Sequence, residues 1–69
     1  MGNFEEELKK VHDSILEKID ELYALDSEMK DLPTTENTWA NSCHMTEAIR
    51  GISAAVRHLE QIDCSAENN

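Results

Sequence analysis

Three histidines, two cysteines and a large excess of carboxylates are the residues of this 69-residue chain that could hold a metal or move a proton. Cys43 and His44 are adjacent, so on a helix their side chains diverge by about 100° and a shared ion is not expected. His12 and His58 approach each other only if two helices lie antiparallel, with Cys64 further along, and the spacing fits no zinc signature. The histidines therefore read as structural or incidental, with no metal and no cofactor. Ser42 or Cys43 beside His44 supplies nucleophile and base types without the geometry, because the two must come within hydrogen-bond reach. No glycine-rich loop is present, no catalytic residue is assigned, and the chain is expected not to be an enzyme.

The carboxylates carry more information. Asp13, Glu17, Asp20, Glu21, Glu28 and Asp31 fall along one sector of a single helical segment, and Asp13/Glu17 and Glu17/Glu21 are like-charge neighbours one turn apart, each mildly destabilising. Such a run is either a solvated face or a surface that docks on a basic groove, where a dense negative field steers association. Arg50 and Arg57 are expected to face Glu17 and Asp13 across a hairpin and neutralise part of it. Fifteen acidic against six basic residues give a formal charge of -9, which disfavours direct contact with nucleic acid, since phosphates must be neutralised by lysine and arginine.

The elements that position these groups are helical. Phe4, Leu8, Val11, Ile15, Ile19, Leu22, Leu25, Met29 and Leu32 recur in steps of three and four, the spacing of one helical face, and Leu16 and Tyr23 widen it. Asn3 with Glu6 has the form of a capping box, and Glu5, Glu6 and Glu7 complement the positive end of a helix dipole. Pro33 disfavours helical geometry at Leu32, and the following threonines and asparagine offer caps for a new start. Met45, Ile49, Ile52, Val56, Leu59 and Ile62 then repeat the pattern. The expected organisation is a single domain, 1–69, with helix 1 over about 3–31, a turn over about 32–37, helix 2 over about 38–63 and a frayed tail over 64–69.

The fold class is thus all-α, an antiparallel two-helix hairpin with Ile15 set opposite Ile52. A chain this short buries only about 60% of its unfolded surface and leans on staples, metals or association for stability. Cys43 and Cys64 lie about 30 Å apart along one helix and cannot bridge. Dimerisation into a four-helix bundle is the expected cover for the apolar faces, with Ala48, Ile49, Gly51, Ile52, Ala55 and Val56 at the dimer interface. In size and topology the chain resembles small plasmid RNA-binding bundles of the Rop type, a likeness of architecture alone. Trp39, at the start of helix 2, is expected to pack over Met29 and Leu32, or else to serve as an exposed anchor for a partner.

Two free thiols suit a reducing compartment, no apolar run spans a bilayer, and the N-terminus is acidic where a signal peptide is basic and then apolar, which together point to the cytoplasm, a host's if phage-encoded. The functional expectation is a small acidic homodimer that binds a partner protein with a basic surface. That points to an inhibitor of a nucleic-acid-binding surface, by analogy with small acidic phage and mobile-element antagonists. Its partner-binding residues are Asp13, Glu17, Asp20, Glu21, Glu28, Asp31 and Trp39. The alternative is an adaptor or assembly-chaperone subunit that binds through an apolar groove.

Overall fold

The computed structural model describes residues 3–65, which fold as two helices packed against each other, α1 over Phe4–Lys30 and α2 over Thr38–Glu60. Among the described residues there is no strand. The hairpin is a rod of 56 × 16 × 13 Å. His12 on α1 meets Glu60 on α2, and Met29 shares a hollow with Met45, so the two helices run antiparallel.

Each helix end has a local cause. The Asn3 side chain accepts the Glu6 backbone N–H at 3.2 Å, with acidic Glu5, Glu6 and Glu7 filling the first turn. At the other end the Asp31 and Leu32 N–H groups fall back on the Glu28 and Met29 carbonyls at 3.1 Å, a tightened last turn before Pro33. The connection is held by its hydroxyls. The Thr35 N–H donates to Thr38 Oγ1 at 2.7 Å and the Asn37 N–H donates to Thr35 Oγ1 at 3.2 Å, so Thr35 and Thr38 satisfy the backbone at the start of α2. Asn37, at the N-cap position, makes no side-chain cap.

At its far end α2 stops at Glu60, with Gln61 as C-cap, three residues short of the expected limit at 63. The chain then turns, and Asp63 Oδ1 accepts the Ser65 N–H at 2.8 Å. An aspartate that bonds the backbone two residues on offers the chain an alternative to another helical turn, which explains the early stop. Of the tail expected to fray, 66–69 lie outside the described residues.

Packing follows a strict seam. Leu8, His12, Ile15, Ile19, Leu22, Asp26 and Met29 are the half-buried residues of α1, alternating steps of four and three, and Met45, Ile49, Ile52, Val56 and Leu59 answer them from α2 in the same rhythm. Only Val56, at 6% exposure, is buried among the described residues. Val11, Leu25 and Leu32, which share the three-and-four spacing, lie outside the seam and remain exposed, while His12 and Asp26 take the inner positions. The expected pairing of Ile15 with Ile52 is shifted accordingly. The His12–Glu60 contact, carried along the seam in heptad steps, sets Ile15 level with Val56 and Ile19 level with Ile52.

Gly51 faces open space, since a Cβ built there meets nothing within 4 Å. Gly51→Ala is therefore expected to stabilise the hairpin by up to about 1 kcal/mol, the difference in helix propensity. Urea titration followed by circular dichroism checks it, and a loss of stability would show that the position is in close contact with something outside the chain.

Candidate functional site

The acidic face lies where an amphipathic helix must put it. With the seam of α1 turned to α2, Asp13, Glu17, Asp20, Glu21, Glu28 and Asp31 are all exposed. Their environments differ. Asp13 Oδ2 accepts from Lys9 Nζ at 3.1 Å, and Glu21 Oε2 pairs with Lys18 Nζ at 3.0 Å. Lys9, and after it His12, hold the Asp13 carboxyl below the usual carboxylate range. Glu17, Asp20, Glu28 and Asp31 have no ion-pair partner among the described residues.

The expected neutralisation by arginine does not occur. Arg50 Nη1 turns to Glu47 Oε1, 3.1 Å away on its own helix, and Arg57 makes no ion pair among the described residues. A partner one turn away on the same helix costs less side-chain ordering than one across the hairpin. Among the described residues no cation pairs with Glu17, Asp20, Glu28 or Asp31, and the negative field there stands.

Trp39 corrects the packing expectation. It is 79% exposed and lies beside Ser42, Cys43, Thr46 and Glu47 on α2, away from Met29 and Leu32. Its place in the first turn of α2 aims it along the outer surface of that helix. The end that it was expected to close is instead an open hollow lined by Leu25, Glu28, Met29, Asp31, Leu32 and Met45. Of the residues assigned to a dimer interface, Ile49 and Ile52 are half-buried and Val56 is buried, all three in the hairpin's own seam. Ala48, Gly51 and Ala55 are exposed beside them.

The polar position in the seam was not legible as a site. His12 Nε2 lies 2.8 Å from Glu60 Oε2, and Nδ1 lies 3.3 Å from Asp13 Oδ1, with the side chain 22% exposed. The signal available in the sequence was the heptad step from Leu8 through His12 to Ile15, which competes with the step through Val11. Hydrogen bonds to Glu60, then to Asp13, raise the imidazole above its ordinary value and outweigh partial burial. Protonated His12 donates from both nitrogens and clips α1 to the end of α2.

The sign of the resulting pH dependence follows from the raised value. His12 holds its proton more tightly when folded, so its stabilising contribution is fully present below about pH 6.5, the unfolded value, and is lost as pH rises through the folded one. The melting temperature of the parent is expected to fall more between pH 6 and 8 than that of His12→Gln. Equal slopes for the two proteins would remove the clip.

Among the described residues no group of three or more His, Cys, Asp or Glu side chains is placed to hold a metal ion. His12 and His58 do not meet, because Glu60 takes the position next to His12 and His58 is exposed. Cys43 is exposed and Cys64 half-buried, and neither is in a disulfide among the described residues. No helix among the described residues is long and apolar enough to cross a membrane. The structure thus defines a class, an acidic α-hairpin with one closed seam and exposed apolar flanks. Comparison with known proteins finds no matching family model, no matching curated protein and no matching solved structure.

Proposed function

We propose that this chain is a non-enzymatic binding protein which self-associates into a four-helix bundle and presents the outer face of α1 to a partner protein with a basic surface, blocking it as an inhibitor does. The observation that carries the reading is the set of carboxylates Glu17, Asp20 and Asp31 on that face, which have no ion-pair partner among the described residues although lysines stand one turn from several other acidic groups. A field of one sign on a chain of charge -9 raises encounter rates with a positive surface and discriminates against acidic ones. The test is to capture partners with the tagged chain at low salt, purify the strongest, and follow its affinity against sodium chloride. Affinity that drops at least 10-fold between about 50 and 300 mM salt, mostly through the association rate, supports the reading. A flat salt profile removes it.

A flat profile favours a second reading, an adaptor or assembly-chaperone subunit that binds through apolar surface. Its support is the open hollow of Leu25, Met29, Leu32 and Met45 together with the exposed Trp39. Methionine and leucine adapt to varied apolar partners, and tryptophan is the residue type most enriched at binding hot spots.

A further inference from the structure

We infer that one side of the hairpin is covered by a second copy of this chain, with both turns at the same end and α1 of each copy laid over α2 of the other. This side carries Val11 and Leu25 on α1, Leu32 just past its end, and Ala48 and Ala55 on α2. The inference rests on the self-association proposed above and adds the surface and the orientation.

The first observation is area. A folded monomer of 7.8 kDa is expected to expose about 4,400 Å², whereas this chain exposes 5640 Å². The excess exceeds the roughly 800 Å² per partner that a stable interface of standard size buries. With Val56 as the one buried side chain among the described residues, the hairpin's own seam does not supply a core.

The second is placement. Val11, Lys18, Leu25 and Leu32 recur every seven residues, and the first three stand one position before the seam residues His12, Ile19 and Asp26. Ala48 and Ala55 likewise stand one position before the seam residues Ile49 and Val56. In an antiparallel pair these two rows border the same side of the seam. The hollow shared by Leu25, Leu32 and Met45 lies on that side. Lys18, the charged member of the row, turns its ammonium 3.0 Å from Glu21 Oε2 and leaves its methylene stem on the face.

The third is complementarity, which selects the orientation. One row is large and the other small, so a two-fold axis along the rod sets Leu25 over Ala48 and the stem of Lys18 over Ala55 in both halves of an isologous interface. The rims agree with this choice. Beyond the large row lies Glu28, and beyond the small row lies His44, level with it in the seam register, so a carboxylate meets an imidazole across the dimer. The opposite arrangement, α1 over α1 about an axis level with Lys18, sets ammonium against ammonium and Val11 against Leu25 and leaves the alanines facing a gap. The acidic positions Glu17 and Asp20 stay on the outside of α1 in the chosen arrangement, where they repel the second copy least.

The experiment uses the whole chain on a Cys43→Ser, Cys64→Ala background. Sedimentation of this protein is expected to give twice the 7.8 kDa mass at micromolar concentration. A chain carrying Leu25→Cys is mixed with one carrying Ala48→Cys and oxidised. The seam register sets these positions level, so a mixed disulfide between the two chains is expected in preference to either self-linked product. Efficient self-linking of Lys18→Cys, at the middle of the large row, without the mixed product would overturn the orientation while leaving the dimer. A 7.8 kDa species at every concentration would overturn self-association itself. As a non-covalent check, Ala48→Arg with Ala55→Arg is expected to weaken dimerisation at least 10-fold, and Ala24→Arg, on the outer face of α1, to leave it unchanged. Retained helicity of the double variant separates loss of the interface from loss of the fold, and an unchanged dimer would overturn the chosen surface.

Discussion

Val56→Asp is expected to unfold the hairpin, with the helical signal at 222 nm lost at 25 °C. Val56 is the one described side chain removed from water, at 6% exposure, and it sits in the α2 seam between Ile52 and Leu59. A carboxylate there has no cation across the seam, and an unpaired buried charge costs about 3 kcal/mol or more even after relaxation. A two-helix chain of this length has little more stability than that to lose. Val56→Ala removes only apolar contact and is expected to cost about 1 to 3 kcal/mol, enough to lower the melting temperature by several degrees. The informative control is Val11→Asp. Val11 has the same side chain but lies outside the seam, half exposed. Below the dimer dissociation constant this variant should keep nearly all its helicity, and only its association should suffer. If Val56→Asp melted like the parent, the seam described here would not be what holds the two helices together.

The contrast between Val56 and Val11 also shows how far the sequence could be read. Both valines obey a three-and-four apolar spacing, and that spacing was enough to place two helices, their antiparallel sense and the turn around Pro33. It could not say which of two adjacent rows faces the partner helix. From Leu8 a step of three reaches Val11 and a step of four reaches His12, and both continue to Ile15. Hydrophobicity alone chooses Val11. The structure takes His12, because Glu60 and Asp13 satisfy the imidazole and the long seam keeps its rhythm. Asp26 is a second instance, held 3.3 Å from Lys30 one turn on, with its side chain 21% exposed. A polar residue at a seam position is legible only when its partner is known, and the partner of His12 lies on the other helix.

The candidate site divides along the same line. The acidic residues were legible because an amphipathic helix has only one place for them. Trp39 was not, because a residue in the first turn of a helix can point along either helix, and the choice depends on how Thr35 and Thr38 set the entry angle of α2. The arginines depended on a competition between a neighbour on their own helix and a partner across the hairpin. Short local pairs win such competitions when both sides are exposed, since they fix fewer rotamers.

The uncompensated field is tested by the triple variant Glu17→Gln, Asp20→Asn, Asp31→Asn. These three carboxylates are exposed, lack ion-pair partners among the described residues and lie outside the hairpin seam, with Glu17 and Asp20 away from the face assigned to the second copy and Asp31 at its edge beside the hollow. Removing them also removes the like-charge pair that Glu17 makes with Glu21 one turn on, so stability should be equal or raised by a few tenths of a kcal/mol. Binding to a basic partner is expected to fall at least 10-fold, chiefly through a slower association rate, with a flatter dependence on salt. Glu6→Gln with Glu7→Gln is the matched control. Those charges sit in the first turn of α1, where they complement the helix dipole, so their loss should cost some fraction of a kcal/mol in stability and leave binding nearly unchanged. Surface plasmon resonance at two salt concentrations, with circular dichroism melts of each variant, separates the two effects. A triple variant that binds as fast and as tightly as the parent at low salt would leave the acidic face as a solvated surface. The exposed Trp39, outside the rows assigned to the second copy, would then be the residue to mutate next, because what binds independently of charge must bind through apolar contact.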